Sequence, residues 1–317
     1  MITAVSKRIS RAFTAGLKKS VATIWFLLKI MIPTSLAVAL LGWSGLLSGF
    51  SKFLSPLMKI LGLPGEAALA FLSGALLNNY SAIAVMSSLS LNLRHATILA
   101  FMCLVAHNLI VETAVMKSAG SSALKMVGLR LGAALFGAFI LNLLLPESLS
   151  RTVFSAAAEA GTMSFLSMLG AWGRSTILFV ARITVFVVII MITQELFEEF
   201  RIVQLLSRLL APLMRVFGLP SQASFLWIVI NVVGYAYGAG IIKSEYESGK
   251  MKKQDGDLFN HHAAISHSLM EDSILYASIS IPLFWLVVPR LILATAVVWI
   301  ERFRRRHVKK SFRVGTV

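Results

Sequence analysis

Two short motifs place histidine and carboxylate together in a chain that is otherwise strongly apolar. His107-Asn-Leu-Ile-Val-Glu112-Thr113 and His267-Ser-Leu-Met-Glu271-Asp272-Ser273 share the pattern H-x-L-x-x-[E/D]-[S/T]. The second lies within Asn260–Ser273, which also holds His261 and His262. Both motifs fall where the hydropathy assigns lipid. A charged side chain near the bilayer centre costs about 2.5–3.5 kcal/mol on insertion scales. A chain that bears this cost at two equivalent places uses the groups for something.

Four chemistries fit these residue types. Histidine titrates near neutrality, so with a buried acid it can relay a proton or a cation. Asn, Glu and Ser/Thr groups can hydrogen-bond a polar organic solute such as a nucleoside. His107, Glu112, His267 and Asp272, with Cys103, form a donor set for a divalent transition metal. Alternatively the acids pair with Lys29 and Arg182, the basic residues of the first span in each half of the chain. Spacing constrains all four. His267 and Glu271 share a helical face, as do Cys103 and His107. Glu112 and Asp272 each lie five residues after their histidine, about 140° round a regular helix. A cavity sees both members of a motif only if the helix breaks or the cavity wraps it.

Enzyme signatures are missing. There is no H-E-x-x-H, no G-x-S-x-G elbow, and no phosphate-binding glycine loop, so we expect neither an enzyme nor a cofactor. The 317 residues are 57% hydrophobic and only 14% charged, with a mean hydropathy of +0.80, which defines a polytopic membrane protein. The net charge of +16 does not signal nucleic acid. Its cations cluster at residues 7–19 and 302–313, flanking apolar spans, so the positive-inside rule puts both termini in the cytoplasm of an inner-membrane protein in contact with lipid. The apolar run Val21–Leu47 is too long for a cleaved leader and reads as a retained first span.

The order of landmarks repeats. Thr23–Ile30 matches Thr176–Ile183, Leu54–Pro64 matches Leu210–Pro220, and the His/acid motifs follow, at offsets of 153, 156 and 160 residues. Chance apolar similarity does not keep landmarks in sequence, so the expectation is an all-α protein of two tandem repeats, each of about four helical segments. We divide the chain into a basic lead (1–20), repeat 1 (21–147), a linker helix (148–174), repeat 2 (175–301) and a basic tail (302–317). Asn78-Asn79-Tyr80-Ser81 interrupts one apolar segment. Asn231 and the run Gly234-Tyr235-Ala236-Tyr237-Gly238 interrupt its counterpart. Glycine costs about 1 kcal/mol inside a helix, and asparagine offers a competing hydrogen bond. Both segments therefore read as broken helices whose freed backbone groups make a polar site at mid-membrane. Four full crossings per repeat give parallel repeats; re-entrant broken segments give inverted ones.

The L-x-P-L-M-x-x-x-G-L-P run, the polar-interrupted helix and the polar motif after it resemble the gate-domain (nucleoside recognition domain) membrane proteins. That family includes spore maturation proteins A and B, and its gate region is shared with ferrous-iron permeases and concentrative nucleoside transporters. The resemblance covers roughly 23–145 and 176–300. It implies a permease for a small polar, nucleoside-like solute, with a midplane site between two gate repeats. Asn78, Asn79, Tyr80, Asn108, Glu112, Asn231, Tyr235, Tyr237, His267, Glu271 and Asp272 would bind the solute. The alternatives are a divalent-metal permease, or a non-transporting scaffold that works as a homo-oligomer or with a partner membrane subunit. The chain has no GTPase domain such as the iron permeases carry.

Overall fold

A computed structural model describes residues 2–155, 164–232, 234–235 and 252–314. The protein is all-α, as a lipid environment requires of a chain that must satisfy its own backbone. Thirteen helices are described: α1 (Ile2–Trp43), α2 (Leu46–Ile60), α3 (Ala67–Leu76), α4 (Asn79–Met86), α5 (Leu93–Ala106), α6 (Leu109–Ser118), α7 (Ala123–Leu144), α8 (Phe165–Glu199), α9 (Ile202–Val216), α10 (Ser224–Val232), α11 (Lys253–Ser266), α12 (Glu271–Ala277) and α13 (Leu283–Val314). One short antiparallel ribbon joins β1 (Leu91–Asn92) to β2 (Thr152–Phe154).

Among the described residues, five stretches are long and apolar enough to cross a membrane: Val5–Trp43, Leu93–Ser118, Ala123–Leu144, Phe165–Glu199 and Leu283–His307. The basic lead and the first span form one continuous helix, α1, with Pro33 inside it. α3 and α10 have ten and nine residues. At 1.5 Å per residue each reaches only about 15 Å, half the hydrocarbon core. Between α7 and α8 lie a 3-10 turn at Glu147–Ser150 and strand β2. Residues 156–163 of the linker and residues 236–251 are outside the described residues.

Chain contacts define two compact units. The first comprises Met1–Leu109, Ala134–Phe200 and Asp272–Leu286; the second comprises Ile110–Ala133, Arg201–Glu271 and Val287–Val317. Each unit therefore takes segments from both halves of the sequence.

In the first unit, α1 and α8 pack as an antiparallel pair. Trp43 meets the ring of Phe165 at 5.4 Å, the Trp172 indole donates to Ser35 Oγ at 3.3 Å, and Arg8 meets Glu199 at 2.7 Å. A side chain at Gly16 would come within 2.6 Å of the Ile192 backbone, so glycine sets how closely these helices approach. The centre of the unit is α5, fully buried from Ile98 to Ala106. In the second unit α11 takes that place, with residues 259–267 buried.

The P-L-M-x-x-x-G-L-P runs end α2 and α9 in the same way. Gly62 and Gly218 adopt φ of 70° and 71°. The Leu63 N–H donates to Met58 O and the Gly62 N–H to Lys59 O; Leu219 and Gly218 repeat these bonds to Met214 and Arg215. These are the two bonds of a Schellman stop, in which left-handed glycine frees the following leucine to fold back on the helix. Proline then forbids continuation.

Candidate functional site

The His/acid motifs are helix breaks. α5 stops at His107 (φ −69°, ψ 160°) and α11 stops at His267 (φ −67°, ψ 161°). The next residue in each case is left-handed, Asn108 at φ 47° and Ser268 at φ 52°. Non-glycine residues hold that conformation at a cost of about 1–2 kcal/mol each. The freed N–H groups are met inside each unit: Asn108 donates to Gly74 O at 3.0 Å, near the end of α3, and Ser268 donates to Ile230 O at 2.9 Å, near the end of α10. One broken helix thus closes the backbone of another, in the same pattern twice.

The histidine rings are also set alike. His107 Nδ1 lies 3.1 Å from Cys103 O, and His267 Nδ1 lies 2.7 Å from Ala263 O. A carbonyl accepts only, so Nδ1 carries a proton in both rings. Nε2 is left to face a carboxylate. Each histidine meets the acid of the other motif: His107 Nε2 lies 3.3 Å from Asp272 Oδ2 in the first unit, and His267 Nε2 lies 3.0 Å from Glu112 Oε2 in the second. An imidazole lone pair and a carboxylate lone pair repel, and a proton placed between them would relieve that repulsion.

The surroundings differ. In the first unit, Tyr276 sits one turn after Asp272, and its hydroxyl donates to Asn79 Oδ1 at 3.1 Å. Asn79 is buried, and its Nδ2 amide has no hydrogen-bond partner among the described residues. Asn78 caps α4, its Oδ1 accepting from the Ser81 N–H at 2.9 Å. Tyr80 is half-buried on α4. Cys103 is fully buried and lies 4.0 Å from Ala70 O.

In the second unit, Glu112 also meets the guanidinium of Arg130 at 2.7 Å. Asn231 ties the break together: its Oδ1 accepts from the Leu269 N–H at 3.1 Å and its backbone carbonyl from the Met270 N–H at 3.2 Å. Arg290 donates to Ile265 O at 2.9 Å and His267 O at 2.5 Å, holding carbonyls that the end of α11 leaves free. The Tyr235 hydroxyl donates to Asn260 at 3.0 Å, Asn260 to Ser121 at 2.9 Å, and Ser121 to Asp257 at 2.5 Å. Glu271 begins α12, and its Oε2 lies 3.6 Å from where a Cβ would stand at Gly234. Tyr237 is outside the described residues.

His261 and His262 stand apart from the pairs. The His261 ring turns to Asp257 O at 2.6 Å, and the His262 ring packs on Phe217 at 4.6 Å. Lys29 and Arg182 do not partner the acids. Lys29 lies over the Trp25 ring at 4.9 Å, and both cations are exposed on their helices. Histidine and Arg130 take that place. Arg130 and Arg290 are fully buried, and sequence reasoning passed over both. A signal for them exists: they are 160 residues apart, the offset of the two histidines, and each stands among apolar residues.

This fold and site define an all-α polytopic membrane protein with paired, discontinuous helices. Residues 24–123 match the Gate family, described as nucleoside recognition. The match spans the helices from the first membrane crossing through the first His/acid motif. Over 285 residues the chain is 29% identical to a Bacillus subtilis (strain 168) protein named uncharacterized membrane protein YvoD, covering 89% of this chain and 91% of that one. No solved structure matches.

Proposed function

We propose that this protein is a proton-coupled membrane permease for a small polar solute of nucleoside-like chemistry, built from two duplicated gate-like halves. The observation that carries this reading is the histidine–carboxylate pair at a helix break inside an apolar core. In the first unit His107 and Asp272 share a proton beside Asn79, whose buried amide awaits an acceptor. An unpaired buried donor costs about 1–3 kcal/mol, which a solute carbonyl would recover. The broken helices supply further backbone groups, and the half-length α3 and α10 support the re-entrant form of each half. Intramembrane ionisable residues of this kind mark substrate and proton paths.

The test is uptake into proteoliposomes of labelled uridine, adenosine, uracil and adenine under an imposed pH gradient. Accumulation of one class that collapses with the gradient supports the proposal. Absence of uptake for all four, by protein that remains monodisperse, sinks it.

A further inference from the structure

Among the described residues the two cations that could have paired with the buried acids meet no carboxylate. Lys29 on α1 and Arg182 on α8 occupy equivalent places in the two halves, Lys29 falling on Arg182 when Thr23–Ile30 is laid on Thr176–Ile183. The antiparallel contacts of α1 and α8 bring the two positions to nearly the same level. Trp172 is beside Ser35, and Ile192 is beside Gly16, so Lys29 stands opposite residues near 179. Arg182 is within one turn of that level.

The level is deep. The last cation before it on α1 is Lys19, which reaches Glu195 of α8. Lys29 lies ten residues further on, about 15 Å along the axis, the middle of a ~30 Å hydrocarbon core. Neither side chain points into the unit. Lys29 follows the exposed Trp25 by one turn. Arg182 lies on a stripe with Leu178, Val185 and Ile189, which are 57–67% exposed. Arg174 begins that stripe two turns earlier and is exposed too. Among the described residues none of the three cations meets a carboxylate; Lys29 has only the Trp25 ring.

Two charges on an outward apolar face at this depth need an anion, and the described residues supply none. Among the described residues a second copy does not offer one. Within the spans, Glu112 and Glu301 are buried, and Glu195, Glu198 and Glu199 sit together at one end of α8. We infer that the α1/α8 face receives a transmembrane helix of a different subunit, one that carries an Asp or Glu at mid-membrane. The carboxylate sits between Lys29 and Arg182, and the apolar stripe around them packs on the partner helix. This assignment stands independently of what the permease carries.

The probe is a synthetic leucine-rich transmembrane peptide with one central Asp, compared with peptides bearing Asn or Leu at that place. Binding is read by energy transfer to the labelled full-length protein in phosphatidylcholine nanodiscs. The Asp peptide is expected to bind at least about tenfold more tightly than the Leu peptide. In Lys29→Leu/Arg182→Leu that preference disappears. In Lys29→Glu/Arg182→Glu it transfers to a peptide with a central Lys, which shows that the variant face is still folded. Equal binding of all peptides to wild type, or a preference that survives the Leu substitutions, overturns the inference. So does loss of the preference when phosphatidylglycerol is added, because lipid phosphate is then the counter-ion.

Discussion

The two histidine–carboxylate pairs share backbone geometry and differ in charge. His107–Asp272 in the first unit is one imidazole facing one carboxylate at 3.3 Å. His267–Glu112 in the second has the fully buried Arg130 guanidinium 2.7 Å from the same carboxylate oxygen. Arginine stays charged at any physiological pH, so the second pair stands beside a fixed cation. Among the described residues no arginine or lysine makes an ion pair with Asp272, which faces His107. The duplicated framework therefore yields one pair with a fixed cation and one without, and the proposed permease uses the second for its exchangeable proton.

The largest effect that would break this contrast is on stability. Glu112→Gln takes the carboxylate away from the buried Arg130, and should destabilise the protein by up to about 3–5 kcal/mol, read as a fall in Tm in detergent. Glu112→Gln/Arg130→Met should recover much of that loss. Asp272→Asn should cost only about 1–2 kcal/mol, the loss of a hydrogen-bonded partner, while abolishing gradient-driven uptake. Equal destabilisation by the two acid substitutions would erase the distinction between fixed and exchangeable pairs.

A second contrast concerns the stops of α2 and α9. A side chain at Gly62 would lie 2.0 Å from Asn142 Oδ1, whereas the nearest atom to one at Gly218 is 3.1 Å away. Both alanine variants carry the left-handed strain of about 1–2 kcal/mol. Gly62→Ala should therefore lower Tm more than Gly218→Ala. The smallest effect is expected at Asn79. Asn79→Ala removes an Nδ2 donor that lacks an acceptor and one acceptor of the Tyr276 hydroxyl, a loss of about 1 kcal/mol, so Tm should fall only slightly while solute affinity falls. A large drop in Tm there would assign Asn79 to structure.

Much of this was legible in the sequence because the same local rule appears twice. The glycine stops follow from P-L-M-x-x-x-G-L-P, the broken helix at α4 from Asn78–Ser81, and the end of α10 from Asn231 and Gly234. The histidine motifs were found by their offset. What the sequence did not reveal was the exchange of partners between motifs. Hydropathy and spacing describe one helix at a time, and a break at His107 lets its ring reach an acid 165 residues away in the chain. For the same reason spacing offers Lys29 and Arg182 as one possible pair of partners for acids that they do not meet in the structure. Arg130 and Arg290 escaped notice because one cation in an apolar helix looks like a helix end until its burial is known.

The most direct test is proton movement in proteoliposomes loaded with a pH-sensitive dye. Uridine, adenosine and their bases would be added without an imposed gradient, to wild type and to Asp272→Asn. The account predicts that one of these solutes drives a pH change in wild type and none in the variant, with both proteins folded to similar Tm. Solute entry without proton movement in wild type, or unchanged proton movement in Asp272→Asn, would contradict it.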